Sequence, residues 1–259
     1  GEAAAVDEIL DAAFDASGEP FMCTALVKML VRGKFVDKAL DLHARMKQRG
    51  QMSGDIIMYS VLIKALVDEG RLDTALGLVE DMSVAGHKVD DIVLMHLLDG
   101  CRHTNNYKLG KKLFDSALAD GMQLSEYTLI TMLKLCGRCG LHEDAYNLLA
   151  TWGETQQIKP SVIHFTCVMS GCLPTRNYDM AWATYELMLA SRIRPDKTTL
   201  STLLPAMVAS QRWERVMELA IATAAIGEVG AGSSREALSS AMLQMRRAGQ
   251  HDRAERIND

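Results

Sequence analysis

Residues 58–90 of this chain read MYSVLIKALVDEGRLDTALGLVEDMSVAGHKVD, and this stretch decides the fold. Its first half, up to Gly70, places apolar residues at helical spacing. The same spacing resumes at Leu72 and continues to Gly86, where a glycine permits the left-handed turn that ends many helices. The stretch therefore predicts two helices joined by a tight turn.

This pattern repeats along the chain at spacings of 35 or 36 residues, with one final spacing of 38. Small or apolar residues form one row at Ala39, Ala75, Gly110, Ala145, Ala181, Val216 and Ala254. A second row keeps the same register at Met46, Met82, Ala117, Trp152 and Met188. Because one hairpin cannot bury both of its faces, the hairpins must stack on each other. The sequence predicts an all-α solenoid of about six to seven stacked helix-turn-helix repeats with a period of ~35 residues.

The repeat period also predicts where the units begin and end. Six full units are expected at 20–55, 56–90, 91–125, 126–161, 162–196 and 197–231. Residues 1–19 are predicted to be the remaining second helix of a preceding repeat, and 232–259 a linker with a partial capping repeat. The glycine- and serine-rich run 227–234 predicts a flexible connector. The N-terminus has no leader-peptide pattern, so we expect no leader in this sequence.

The residues of 58–90, together with the unit endings at 158–161 and 193–196, closely resemble the pentatricopeptide repeat. The resemblance covers about residues 20–231. It implies a right-handed solenoid of the pure-repeat type that binds single-stranded RNA along its first helices, roughly one base per repeat. The resemblance also implies a function in organelle RNA metabolism, such as transcript stabilisation, processing or translation. The protein would then be a soluble or peripheral protein of a mitochondrion or plastid.

In this family, one residue of the first helix and the last residue before the next unit read each base together. The matching pairs are Thr24 with Asp55, Ser60 with Asp90, and Thr166 with Asp196. By resemblance these pairs favour guanine, because a carboxylate accepts hydrogen bonds from a base edge that offers N–H donors. Met95 and Ile130 occupy the first of these positions in two central repeats. They form no strong hydrogen bond, so a continuous code is not expected there.

A row of large apolar residues precedes the base-reading positions, at Phe21, Ile57, Ile92, Tyr127 and Ile163. In the family, such side chains sandwich the bases. The alternative is that apolar residues at one helical position are simply part of the core. The sequence leaves both interpretations open.

Two further rows lie four residues apart, and therefore on one helix face. Their cations are expected to contact phosphates: Lys28, Arg32, Lys64, Lys134 and Arg138. Asp68 and Asp99 interrupt these rows, which favours the alternative of a solvated polar stripe.

Composition bounds the function. With 48% hydrophobic and only 5% aromatic residues, the chain suits helices packed through aliphatic side chains, and its composition favours a folded over a disordered chain. A formal net charge of −5 supplies no basic signal across the whole chain. This charge favours a second hypothesis, a non-catalytic scaffold subunit of a large organellar complex such as a ribosome or a membrane energy-converting assembly. Met95 and Ile130 would then form a protein contact.

Catalysis is not expected. Cys136, Cys139 and His142 have the spacing of half a zinc site, yet Cys101, Cys136 and Cys172 recur at one position of successive units, which predicts core residues. The sequence contains no catalytic triad or phosphate-binding loop that we could identify, and no apolar run long enough to span a membrane. We expect no metal, no cofactor and no enzymatic activity.

Overall fold

The computed structural model describes residues 20–49, 56–156, 159–226 and 231–256, and every regular element in these ranges is an α-helix. The helices are α1 (Pro20–Arg32), α2 (Val36–Gln48), α3 (Ile56–Asp68), α4 (Leu72–Val84), α5 (Asp91–His103), α6 (Tyr107–Ala119), α7 (Glu126–Arg138), α8 (His142–Gln156), α9 (Val162–Cys172), α10 (Tyr178–Ala190), α11 (Lys197–Ala209), α12 (Trp213–Ile226), α13 (Ala231–Arg247) and α14 (His251–Arg256). Among these described helices, none is long and apolar enough to cross a membrane.

The chain divides into two compact units, Gly1–Thr131 and Met132–Asp259. In the first unit, α3 packs against α1, α4 and α5. In the second unit, α11 packs against α9, α12 and α13. Each unit is therefore built from helical hairpins whose first helices lie side by side, which is an all-α helical-repeat fold.

The same backbone turn closes each hairpin. After α3, Gly70 adopts a φ of 76° and the Arg71 N–H donates to the Leu66 carbonyl at 2.8 Å. The equivalent left-handed residues are Lys34 and Asn105 in the first unit, and Gly140, Arg176, Gln211 and Gly249 in the second. Glycine adopts this conformation readily, whereas an L-residue with a side chain carries strain on the order of 1 kcal/mol. The turn is therefore imposed by the packing of the two helices, even where the residue does not favour it.

The two rows that revealed the period lie in the core, which confirms their predicted role. In the first unit, Ala39 and Ala75 are completely buried. In the second unit, Ala145, Ala181, Val216 and Ala254 are at most 1% exposed. The second row is buried as well, at Met46, Met82, Ala117, Trp152 and Met188. Burial of this apolar surface is the main force that holds successive hairpins together.

Small residues also set how closely the first helices approach each other. In the second unit, a Cβ added at Gly171 would lie 3.2 Å from the Cα of Gly137. In the first unit, a Cβ at Gly100 would lie 3.1 Å from Cγ2 of Val67 on α3. The contact at Gly171 is with backbone, which cannot move aside as a side chain can. Any side chain larger than hydrogen would therefore separate these helices.

Ion pairs link neighbouring hairpins on their exposed second-helix side. In the first unit, Arg71 Nη1 lies 2.6 Å from Asp37 Oδ1. In the second unit, Arg212 Nη2 donates to Asp179 Oδ2 at 2.8 Å, and the arginine hydrogen bonds hold the Asp179 pKa at about 2. Because these carboxylates are exposed, each pair contributes little to stability compared with the buried apolar rows.

The structure corrects the predicted connector near the C-terminal end. Helix α13 begins at Ala231, so residues 232–234 are helical, although the sequence predicted a flexible link through Ser234. Ala241 and Met245 of α13 are at most 1% exposed. Burial of this apolar face stabilises the helix beyond the weak helix propensity of its first residues. The predicted remnant helix at 1–19 and the connector residues 227–230 lie outside the described residues.

Replacing Gly70 by alanine tests the turn. Nothing lies within 4 Å of an added Cβ at this position, so the only cost comes from its φ of 76°. We expect Gly70→Ala to lower the free energy of unfolding by about 1 kcal/mol. Urea unfolding followed by circular dichroism measures the change.

Gly77→Ala is the matched control, because Gly77 lies inside α4 and an added Cβ there also meets nothing within 4 Å. This change should raise the free energy of unfolding by about 0.5–1 kcal/mol, since alanine favours the helix. Equal effects of the two substitutions would contradict the conformational explanation.

Candidate nucleic-acid interface

A row of exposed apolar side chains lies at the start of successive first helices. In the first unit, Ile57, Ile92 and Tyr127 are 48%, 53% and 72% exposed. In the second unit, Ile163 is 63% exposed. We call these four residues the apolar row. Their exposure shows that the alternative of a purely core position is wrong for them. Phe21, the fifth predicted member, has a side chain outside the described part of the chain.

Helix phase explains why these side chains face solvent. The next residue along each helix is buried, and these residues are Met58, Val93, Thr128 and His164. Neighbouring residues on a helix point about 100° apart, so one enters the core while the one before it stays outside. The packing therefore displays one large apolar side chain in each of these four repeats, whereas the repeat 197–231 carries Thr198 at this position.

The predicted base-reading residues differ in exposure. Ser60 and Thr166 are partly exposed. The Thr166 hydroxyl donates to the Val162 carbonyl at 2.9 Å and lies 3.1 Å from the Thr199 hydroxyl. Thr24 is only 4% exposed, which corrects its predicted role, because a buried hydroxyl does not present itself to a base. Its predicted partner Asp55 lies outside the described residues.

The predicted partners of Ser60 and Thr166, which are Asp90 and Asp196, are helix N-caps. Asp90 Oδ1 accepts from the Val93 N–H at 2.8 Å, and Asp196 Oδ1 accepts from the Thr199 N–H at 2.7 Å. Sequence reasoning missed this structural role, although an acid directly before a helical pattern is a recognised cap signal. Within the described residues, Oδ2 of neither carboxylate accepts a hydrogen bond, so one oxygen of each stays open to a ligand.

In the next repeat of the first unit, Ser125 occupies the position of Asp90, and a hydrogen-bond network holds it in place. Asp91 Oδ1 accepts from the Thr128 hydroxyl at 2.6 Å and from the Ser125 N–H at 3.1 Å. Thr128 is completely buried. Asp91 thus ties the start of α5 to the start of α7, and sequence reasoning did not single it out.

The cations predicted to contact phosphates differ in exposure and in whether an acid compensates their charge. In the first unit, Lys64 Nζ lies 2.7 Å from Asp68 Oδ2, so its charge is partly compensated, while Lys28 is half-buried and Arg32 exposed. In the second unit, Lys134 and Arg138 are exposed, and Lys134 forms no ion pair with another described residue. Asp99 is paired with Arg102 at 2.8 Å. The structure therefore separates compensated from uncompensated cations, which the sequence could not do.

Two titratable groups beside these cations escaped sequence reasoning. His96 on α5 is half-buried, and burial lowers its pKa; Lys64 lowers the pKa further, while Asp68, Asp99 and Asp90 raise it. In the second unit, burial raises the pKa of the half-buried Cys167, and Lys134 lowers it. His96 and Cys167 occupy the same position of their first helices. Each lies one repeat after the lysine that lowers its pKa.

Met95 and Ile130, the predicted protein contacts, are half-buried and present only part of their side chains. The three recurring cysteines, Cys101, Cys136 and Cys172, are at most 1% exposed, which confirms that they are core residues. Desolvation raises the pKa of Cys101 and of Cys172 to about 11. Among the described residues, no group of three potential ligands is placed to hold a metal ion.

Substitution of Asp196 separates capping from charge. We expect Asp196→Ala to lower the free energy of unfolding by about 1 kcal/mol, because the Thr199 N–H loses its acceptor. Asp196→Asn keeps a good N-cap and should change the free energy of unfolding by only about a few tenths of a kcal/mol. Thermal unfolding of both variants tests this, and an Asp196→Ala protein as stable as the wild type would contradict the capping role.

Comparisons with known proteins agree with this architecture. Two matches to the PPR repeat cover residues 21–51 and 57–87, and a match to the pentatricopeptide repeat domain covers residues 153–210. A mitochondrial pentatricopeptide repeat-containing protein of Arabidopsis thaliana is 29% identical over 122 residues, 46% of this chain and 21% of its own length. A second Arabidopsis thaliana protein of this kind is 28% identical over 127 residues, 49% of this chain and 16% of its own length. The chain thus spans about a fifth or less of these curated relatives.

Solved structures show the same fold. The crystal structure of the pentatricopeptide repeat protein PPR10 from maize matches 89% of this chain and 33% of its own, with a TM-score of 0.66 and 18% identity. The PPR domain of Arabidopsis thaliana protein-only RNase P 1, solved in complex with tRNA, matches 69% of this chain and 94% of its own, with a TM-score of 0.54 and 16% identity. The helical hairpins, their period and the matched segments lead to one conclusion: this chain carries pentatricopeptide repeats at residues 21–51, 57–87 and 153–210.

Proposed function

We propose that this chain binds single-stranded RNA along the exposed face of its first helices and acts in organelle RNA metabolism, as a binding protein without catalysis of its own. The repeat family supports this, as does PPR10, whose structure in complex with an 18-nt psaJ RNA element matches 93% of this chain with a TM-score of 0.54. The mitochondrial relative supports an organelle, either a mitochondrion or a plastid.

The apolar row is the observation that carries the proposal. The side chains of the apolar row are 48–72% exposed at one helical position of successive repeats, and their unfavourable hydration is relieved when a ligand covers them. Unpaired bases offer flat apolar faces, and stacking on a protein side chain is worth about 1–3 kcal/mol per base for aromatic residues. Tyr127, with 72% of its surface exposed, offers the largest such platform among the four.

The hydrogen-bonding groups beside this row fit recognition of base edges in two repeats. Ser60 with Asp90 in the first unit, and Thr166 with Asp196 in the second, combine a partly exposed hydroxyl with a carboxylate whose Oδ2 is open. A carboxylate oxygen accepts from N–H donors, so these pairs suit guanine as the family pattern implies. At Met95 and Ile130 the bases would be held by stacking alone, without selection.

The second candidate is a scaffold subunit of an organellar complex, and the acids within the cationic rows favour it. Asp68 pairs with Lys64, and Asp99 pairs with Arg102, which weakens attraction for phosphates around α3 and α5. A protein partner would then cover Met95 and Ile130 together with Ile57, Ile92 and Tyr127 of the same unit. Their limited exposure makes this contact smaller than the one that the apolar row offers to bases.

A titration of the purified chain with a randomised single-stranded RNA pool, followed by fluorescence anisotropy, tests the proposal. Tyr127→Ala should weaken binding by about 1–3 kcal/mol, because one stacking platform is removed. Val84→Ala is the control, since Val84 is 85% exposed but lies at the end of a second helix. Absence of binding, or equal losses in both variants, would refute RNA binding by this face and favour the scaffold.

The salt dependence of binding should separate the two lysines. Lys134→Ala should reduce the slope of log affinity against log salt by about 0.7, the value of one phosphate contact on a single strand. Lys64→Ala should reduce it by less, since its ion pair with Asp68 already compensates the charge. Titrations at several salt concentrations measure both slopes. A larger change for Lys64→Ala would mean that Lys64 leaves Asp68 when RNA binds.

A further inference from the structure

His96 belongs to a stripe of α5 that begins with the apolar row. Ile92, His96, Asp99 and His103 follow each other at steps of four, three and four residues, so they share one helix face. Ile92 is 53% exposed at one end of this stripe. At the other end, His103 Nε2 lies 3.8 Å from Asp99 Oδ2. His96 is half-buried between them. The histidine thus lies within the face that we propose for RNA.

The charges around His96 come from two helices. Lys64 and Asp68 act on it from α3, which packs against α5, while Asp99 acts from α5 itself and Asp90 from the N-cap of α5. Among the described residues, α4 and α6, which also pack against α5, contribute no charged group to this set, and neither does α7, which Asp91 ties to α5. The corresponding residues of the other five full repeats are Ala25, Val61, Thr131, Cys167 and Thr202, which carry no positive charge. A protonated His96 would therefore add a cation where no other repeat has one.

His96 also lies where acids replace the cations of the two predicted phosphate-contacting rows. Asp68 and Asp99 occupy positions that lysine or arginine fills in neighbouring repeats, at Lys28, Arg32, Lys134 and Arg138. Lys64 is itself paired with Asp68 at 2.7 Å. With His96 neutral, this part of the face has few uncompensated positive charges to offer to a phosphate. With His96 protonated, it gains one cation between the apolar row and the two acids.

We propose that RNA binding by this face is coupled to protonation of His96, so that the chain holds RNA more tightly at mildly acidic pH than at alkaline pH. The proposal rests on the proposed function, because it concerns the same face and the same ligand. It assigns to one residue of the third predicted repeat a role that the apolar row and the base-reading pairs do not have. RNA and a proton would each favour binding of the other.

Thermodynamic linkage determines the sign. In the free protein, burial and Lys64 hold the pKa of His96 below its ordinary value, so the side chain is largely neutral at neutral pH. A nearby phosphate adds negative charge and raises the pKa of His96 in the complex. Binding therefore takes up protons between the two pKa values. Affinity rises as the pH falls through the bound-state pKa, and the rise levels off below the pKa of the free protein.

The test measures the affinity of the full chain for the RNA pool at constant salt, from about pH 8 to about pH 5.5. We expect wild-type affinity to rise by about three- to tenfold over this range, and the rise to disappear in His96→Gln, which cannot take up a proton. His103→Gln is the matched control, an exposed histidine of the same stripe, and should keep the rise. Circular dichroism at each pH checks that all three proteins stay folded.

The outcomes distinguish the two proposals. A rise that is present in the wild type and in His103→Gln, but lost in His96→Gln, supports the coupling. RNA binding that does not change with pH, or that changes equally in His96→Gln, overturns the coupling and leaves RNA binding intact. A rise that is lost in His103→Gln instead assigns it to the exposed histidine and also overturns the role of His96. Absence of RNA binding at every pH overturns the proposed function and this proposal with it.

Discussion

The contact between one helical hairpin and the next is the interaction on which the rest of the structure depends. A hairpin of two amphipathic helices leaves an apolar face open, and only a neighbouring hairpin covers it. The buried residues Ala75 and Met82 in the first unit, and Ala181 and Met188 in the second, lie at this contact. Its tolerance is small, because Gly137 and Gly171 already bring two backbones close enough that a Cβ would sit 3.2 Å away.

That contact also determines what the exposed face presents. Once Met58, Val93 and His164 enter the core, helix phase leaves the residue before each of them in solvent. Ile57, Ile92, Tyr127 and Ile163 are thus displayed by the packing that stabilises each unit. Asp90 and Asp196 each cap a helix with one oxygen, and within the described residues the other oxygen accepts no hydrogen bond. Stability and the proposed recognition share these positions, so substitutions there must be judged by both measurements.

Charge acts locally in this chain. The net charge of −5 describes the whole sequence, yet exposed acids such as Asp37 and Asp179 pair with arginines of the next repeat. On the first-helix side, Lys134 is unpaired within the described residues, whereas Lys64 is held by Asp68. Burial and Lys64 lower the pKa of the half-buried His96, while Asp68, Asp99 and Asp90 raise it. An overall acidic composition is therefore compatible with a face whose attraction for phosphate varies from repeat to repeat.

The sequence by itself determined the repeat, its period, the helical hairpins and the buried rows, because a stacked repeat leaves the same residue types at the same spacing in every unit. It also predicted the apolar row, but it could not decide whether Ile57 or Ile163 was core or surface. The tertiary structure alone decided that, since exposure depends on which helix covers which face. It also showed that Thr24 is buried, that Asp90 and Asp196 cap helices, and that α13 begins at Ala231. The surroundings of His96 became visible only there, because Lys64 and Asp68 act on it from a helix of the preceding repeat.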